Sequence, residues 1–248
     1  MERQTVIITG ATGGIGKACV KQCLAEGRNV VAFGRTTDRL KAAIPDPADT
    51  AALFSGDVSD AADCAAAVDL AIKRFGRLDS VIHWAATHSS VVWSELDAQE
   101  FNRVLAANLT GSFLIAQAAA RHMVERKSGS IVLCASGAVL FGGIGGQSGA
   151  GGAAYVASKA GIIGLVRSLA RALGPHGIRV NAVSPGVTET PMISGYTPER
   201  RAAVTSRTVL GRLGEPDEIA AVGCFLISGA ARYITGEIVN VNGGANFA

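Results

Sequence analysis

Seven short apolar runs, each separated from the next by a helical or turn-rich stretch, constrain this chain's fold more than any other feature. TVIIT, NVVAF, ALFS, SVIHW, SIVLCA, IRVNAV and EIVNV are rich in β-branched residues and apolar almost throughout. A strand with one solvated face alternates apolar with polar residues. A strand covered on both faces does not, and that is the situation inside a parallel sheet. Between the runs the pattern turns helical, as in IGKACVKQCLAEG, DAADCAAAVDLAIKRFG and DAQEFNRVLAANLTGSFLIAQAAARHMVER. Asp60 and Asp97 stand where N-caps belong, and Gly27 and Gly76 where helices stop. This alternation predicts an α/β fold: a doubly wound, Rossmann-type parallel sheet of about seven strands with helices on both faces. No repeat or linker divides the chain, so a single domain over residues 1–248 is expected.

Composition removes several functions. A formal charge of +3 with no basic tract argues against a nucleic-acid partner. Charged residues make up 17% of the chain, below the roughly 25% usual in soluble domains. That deficit suits a compact protein that buries further surface in an oligomer. The charge-free run between Lys127 and Lys159 exceeds the roughly 20 residues of a membrane span. Its first half, SIVLCAS, has the length of a buried strand, and its second half is mostly Gly, Ser, Gln and Ala, so no membrane partner is expected. The five cysteines (Cys19, Cys23, Cys64, Cys134, Cys224) form no CxxC pair and no His-associated cluster, so no metal is expected. Cys19 and Cys23, one helical turn apart, read as a core-facing stripe. The odd count and a chain that enters a strand directly predict the reducing cytoplasm.

The first run leads into TGATGGIG, Thr9 to Gly16. In such sheets ligands bind at the carboxyl ends of strands, so this loop is where phosphate would meet a helix N-terminus. Glycines at 10, 14 and 16 allow a tight turn and close backbone approach; Thr12 and Ile15 complete the candidate contacts. The second run ends in Gly34 and Arg35, with no acid until Asp38. An acidic residue there would bind the adenosine ribose hydroxyls, whereas arginine presents a planar, permanently charged fork to a 2′-phosphate. NADP(H) is therefore expected over NAD(H), which stays open as the alternative.

Tyr155 and Lys159 in AAYVASK are four residues apart at the start of a strongly helical stretch, and so share one face. A positive charge beside a phenol favours its phenolate, which would let Tyr155 give a proton to a carbonyl or take one from an alcohol. Ser136 ends SIVLCAS on the same sheet edge as TGATGGIG, where its hydroxyl can hydrogen-bond a reacting oxygen. Asn108 is a polar residue inside a long apolar helical stretch, a placement that serves either a helix surface or a site.

These motifs, in this order, resemble the short-chain dehydrogenase/reductase family from end to end: TGATGGIG, GDV, NLTGSF, SIVLCAS, YVASK, VNAVSPGVTETPM, GRLGEPDEIA and YITGEIVNVNGG. The resemblance implies that Ser136, Tyr155 and Lys159 are catalytic and that Asn108 anchors a water-linked proton relay through the lysine. It implies that Asp57 contacts the adenine, followed by Val58 through its backbone, and that Lys159 binds the nicotinamide ribose. Ala85, Pro185, Gly186, Thr188 and Thr190 become further candidate cofactor contacts, the last segment holding the nicotinamide amide and phosphates. The implied reaction is hydride exchange between a ketone and a secondary alcohol, 3-oxoacyl-thioester reduction being one form. The implied assembly is a homodimer or homotetramer. A nucleotide-binding regulator without turnover, or an epimerase or dehydratase on the same fold, are the alternatives.

The chain also departs from the family. HWAA, His83 to Ala86, stands where NNAG is usual, which puts the adenosine pocket in question. Ser136 and Tyr155 are 19 positions apart (155 − 136), several more than usual, and the extra residues fall in FGGIGGQSGAGG. That segment is expected to wall the substrate pocket, with Gln147 and Ser148 as candidate substrate contacts. MISGYTPERRAAVTSRT, after Pro191, is expected to cover the substrate.

Overall fold

The computed structural model describes residues 3–44, 49–143 and 152–247. Its elements run β1 (Thr5–Thr9), α1 (Gly14–Ala25), β2 (Asn29–Gly34), α2 (Thr37–Ala43), β3 (Ala51–Ser55), α3 (Ala61–Phe75) and β4 (Ser80–His83). They continue with α4 (Ala98–Leu105), α5 (Gly111–Arg126), β5 (Gly129–Cys134), α6 (Ala138–Phe141), α7 (Ala153–Leu173), β6 (Ile178–Pro185), α8 (Pro198–Thr205), α9 (Pro216–Ile227) and β7 (Ile238–Val241). Each of the seven apolar runs forms a strand, to within two residues at either end. The strands make one parallel sheet in the order β3-β2-β1-β4-β5-β6-β7.

Both faces of the sheet are covered, which is why its strands are continuously apolar. Ile7, Val31, Phe33, Val81 and Ile131 point to one core, shared with α3, α5 and α7. Val6, Ile8, Val30, Ala32 and Ile82 point to the other, shared with α1 and α9. Fully burying one such side chain contributes about 1.5–3 kcal/mol, so a polar residue at either parity of these strands would be costly. The two predicted N-caps hold: the Asp60 carboxylate accepts from the amides of Ala62 and Asp63, and that of Asp97 accepts from Glu100. Gly76 closes α3 in the left-handed conformation at φ 75°.

Chain order reverses between β1 and β4, which opens a crevice at their carboxyl ends. Register brings those ends level, because Thr9 pairs with both Phe33 and His83. Around this crevice one feature departs from the sequence reading. The expected continuous helix from Asp97 to Arg126 carries a π-helical turn at Ala106–Thr110 between α4 and α5. Such a turn adds one residue to the coil and re-aims its side chains; Asn108 lies on it. A small separate core of Ile193, Val204 and Leu213 also organises the stretch from Val187 to Gly214, including α8, as a lid of its own. Gln147 and Ser148, with the rest of 144–151, lie outside the described residues.

One helical stretch, Ala153–His176, is long and apolar enough to cross a membrane by composition. It contains α7, which buries Tyr155, Ser158, Lys159, Ile162, Val166 and Ala170. Ile162, Val166 and Ala170 belong to the sheet core, so α7 is a core helix. Where α1 packs on α9, Cys224 joins the predicted Cys19–Cys23 stripe, with Sγ–Sγ distances of 3.9 and 3.5 Å from Cys224. All five thiols are free and buried.

Candidate active site

The crevice widens into a cavity of about 730 Å³. Its floor is the loop after β1. Gly10 adopts φ +64°, and its carbonyl accepts from the Gly13 amide at 2.9 Å. A Cβ on Gly16 would lie 2.1 Å from that same carbonyl oxygen, so helix and turn can close only on glycine. α1 then begins at Gly13 with no side-chain cap. Its first-turn amides therefore remain available to a phosphate, and the end of β4 runs close beside Gly10. These features fit the pyrophosphate of a dinucleotide.

At the far end of the cavity stand Arg35, Arg39, Asp57 and Val58. The Asp57 carboxylate accepts from the Ser59 amide and hydroxyl at 2.8 and 2.7 Å, which lowers its pKa, and the Arg35 charge adds to the effect. Arg39, on the first turn of α2 and four positions after Arg35, was not anticipated from the sequence. Its signal was the i,i+4 repeat of arginine across the start of α2. Asp38, the acid between them, is not part of the wall among the described residues. The candidate cofactor contacts Thr12, Ile15, Ala85, Pro185, Gly186, Thr188 and Thr190 also line the cavity.

The HWAA segment fits its surroundings in shape and keeps a link to Thr9, while His83 Nε2 and Trp84 Nε1 are buried without a hydrogen-bond partner among the described residues. His83 Nδ1 and Thr9 Oγ1 share a hydrogen bond of 2.9 Å, and the Ala85 amide donates to the same hydroxyl at 3.2 Å. Burial pushes the His83 imidazole down to about 3, with the Lys159 charge adding to it, so the ring is neutral. Trp84 turns its indole to the α9 side, where a Cβ at Gly223 would meet its ring at 2.8 Å. A glycine on α9 thus makes room for the tryptophan.

At the near end, Ser136 and Tyr155 share the cavity wall, whereas Lys159 and Asn108 stand behind it. Lys159 is 1% exposed and donates to the Cys134 carbonyl at 2.7 Å, with its nitrogen 5.7 Å from the Tyr155 ring centre. Burial pushes the Tyr155 phenol above its ordinary range, the Cys134 and Tyr196 side chains adding to the rise and the Ser136 hydroxyl opposing it. The lowering expected from Lys159 therefore does not prevail in this geometry: the Tyr155 phenol is un-ionised at neutral pH and is a weaker acid than a free tyrosine. Asn108 is completely buried. Its carboxamide accepts from the Thr87 amide at 2.8 Å and donates to the Thr87 carbonyl and to Ser158 Oγ, each at 2.9 Å. It ties the loop after β4 to the helix that carries Tyr155 and Lys159.

The lid and α6 supply the wall residues Phe141, Met192, Tyr196 and Arg207, which lie in the two stretches expected to wall and cover the substrate but were not named individually. Their positions depend on the lid's own packing, for which no motif exists.

A family model described as enoyl-(acyl carrier protein) reductase matches residues 10–246. The chain belongs to the short-chain dehydrogenase/reductase family. Like its relatives in this family of nicotinamide-dependent oxidoreductases, this short-chain dehydrogenase/reductase is matched along nearly its whole length. It is 32% identical to a 3-oxoacyl-[acyl-carrier-protein] reductase of Thermotoga maritima, over 98% of each chain. It is 36% identical to a cis-4-hydroxycyclohexanecarboxylate dehydrogenase of Sinomonas cyclohexanicum, over 97% of this chain and 96% of the other. A solved short-chain dehydrogenase/reductase from Brucella melitensis, described as a glucose/ribitol dehydrogenase, superposes with a TM-score of 0.91 at 35% identity, covering 100% of this chain and 98% of its own.

Proposed function

We propose that the protein reduces a ketone to a secondary alcohol with NADPH. The observation that carries this reading is one continuous cavity with a phosphate-ready glycine turn at one end and Tyr155 beside Ser136 at the other. Gly10 to Gly16 would hold the pyrophosphate, Arg35 and Arg39 the 2′-phosphate, and Asp57 and Val58 the adenine; Lys159, behind the wall, would reach the nicotinamide ribose by turning from the Cys134 carbonyl. The bound cofactor supplies the hydride. The chain's own residues manage the oxygen: Ser136 donates a hydrogen bond to it, and Tyr155 gives it a proton from the phenol hydroxyl. Asn108 keeps α7 in register with the loop after β4 and so steadies Tyr155. Two arginines on the wall, with Asp38 away from it, support NADP(H) over NAD(H).

We also infer a cytoplasmic homo-oligomer, dimer or tetramer, acting on a small carbonyl or alcohol. Oxidation of NADPH in the presence of a panel of ketones tests the reaction. NADPH binding without turnover would favour a regulator, and product formation without net NADPH consumption would favour an epimerase or dehydratase.

A further inference from the structure

Four arginines line the cavity among the described residues, and two of them, Arg35 and Arg103, have an acidic neighbour. Arg35 lies close enough to Asp57 to lower its pKa, and Arg39 follows four positions later at the same end. Arg103 forms a forked pair with Glu100, at 2.6 and 2.8 Å. Arg207 has no carboxylate partner among the described residues; its guanidinium instead lies over the Phe141 ring, 4.9 Å from the ring centre. Residues 144–151, which follow Phe141 and Gly143, contain no Asp or Glu, so that segment supplies no counter-charge either.

Stacking on an aromatic face uses the π surface of a guanidinium and none of its N–H donors. Arg207 thus lines the cavity with no side-chain hydrogen bond among the described residues. Its backbone is fixed from both sides. Its amide donates to the Val204 carbonyl at 3.1 Å, within the lid core, and the Thr208 hydroxyl donates to the Thr205 and Arg212 carbonyls. Phe141 ends the short helix that begins two residues after Ser136, and Tyr196, on the same lid, is near enough to raise the Tyr155 pKa. The unpaired cation is thus built into the substrate end of the cavity rather than the cofactor end.

We propose that Arg207 is a specificity residue that selects substrates carrying a carboxylate as well as the reacting carbonyl. This rests on the reductase reading for its chemistry but not for its binding. Bidentate Arg–carboxylate pairs are among the strongest hydrogen-bonded contacts, because both groups are charged and the two forks match in shape.

The test separates binding from turnover. Cyclohexanecarboxylate and cyclohexanecarboxamide are titrated calorimetrically into the NADP⁺-loaded protein, as wild type, Arg207→Gln and Arg207→Lys. The acid should bind about tenfold or more tightly than the amide. Arg207→Gln should abolish that preference, and Arg207→Lys should retain part of it. Equal affinities in the wild type, or a preference that survives in Arg207→Gln, overturns the proposal. In parallel, NADPH oxidation is followed with 4-oxocyclohexanecarboxylate and its methyl ester. Arg207-dependent binding of the acid with no oxidation of NADPH by either ketone would remove the reductase reading and leave the carboxylate site standing. Turnover of acid and ester with equal kcat/KM would do the reverse.

Discussion

At the cofactor end of the cavity the wall is largely main chain; at the substrate end it is largely side chain. The first is made where β1 turns into α1, and its working parts are amides, a carbonyl and the absence of Cβ atoms at Gly10 and Gly16. The second is made by the ends of α6 and α7 and by a lid with a three-residue core, and its working parts are a hydroxyl, a phenol, aromatic rings and a guanidinium. A backbone site tolerates little change of shape but makes few demands on neighbouring side chains. A side-chain site can be re-aimed by any change in the lid that carries it. One end is therefore fixed by the fold, while the other is free to set the substrate.

The largest effect that would sharpen this contrast is Tyr155→Phe. Removing the proton donor should lower kcat by about 10²–10⁴-fold while NADPH binding, read by fluorescence titration, stays unchanged. A variant keeping more than about a tenth of wild-type turnover would place the proton donor elsewhere. Next comes Gly16→Ala, at the other end. The new Cβ meets the Gly10 carbonyl oxygen at 2.1 Å, so the turn must open. Overpacking of about 1–3 kcal/mol should weaken NADPH about ten- to a hundredfold, with kcat at saturating cofactor affected far less. If both variants lost turnover and binding together, the two ends would not be separable in this way.

Arg35→Asp tests the one part of the cofactor end that depends on side chains. It should reduce the preference for NADPH over NADH about ten- to a hundredfold, because a charge-assisted phosphate contact becomes a repulsion. Arg39→Asp should act in the same direction and less strongly, since Arg35 already lies beside Asp57. An unchanged cofactor ratio in Arg35→Asp would leave the 2′-phosphate without its proposed partner.

The same contrast explains what the sequence could and could not disclose. Backbone sites leave compositional marks: glycine at 10, 14 and 16 directly after an apolar run is readable, and so is the parity-free apolar pattern of Val6, Ile7 and Ile8. Ser136 and Tyr155 were legible because strand and helix ends locate them. Arg207 was not, because its partner Phe141 lies 66 positions away (207 − 141) and the lid packing that joins them follows no period. The π turn at Ala106–Thr110 was also hidden, since its residues are ordinary helix residues and the partners of its Asn108, Thr87 and Ser158, lie far away in sequence. Cys224 meets Cys19 and Cys23 across the α1–α9 contact, a proximity of more than 200 positions that no spacing rule predicts.

The smallest expected effect concerns the junction of the two ends, where His83 stands in place of the family's asparagine. Its ring is buried and neutral, with a folded pKa of about 3 against an ordinary value of 6.5. In the unfolded chain it takes up a proton as pH falls below that ordinary value, whereas in the folded protein it does not. Stability is therefore fully present above about pH 6.5 and is lost progressively as pH falls toward 3. At about pH 5 the loss attributable to this one group is about 2 kcal/mol, some 1.5 pH units below the unfolded value at about 1.36 kcal/mol per unit. His83→Asn keeps a hydrogen-bonding side chain beside Thr9 and removes the titration. Urea unfolding at pH 7.5 and pH 5 should give a difference between the two conditions that is smaller in the variant by about that amount. An equal acid sensitivity in both proteins would mean that His83 is protonated in the folded state, beside Lys159. HWAA would then be a charged element of the site, not a neutral replacement for the usual asparagine.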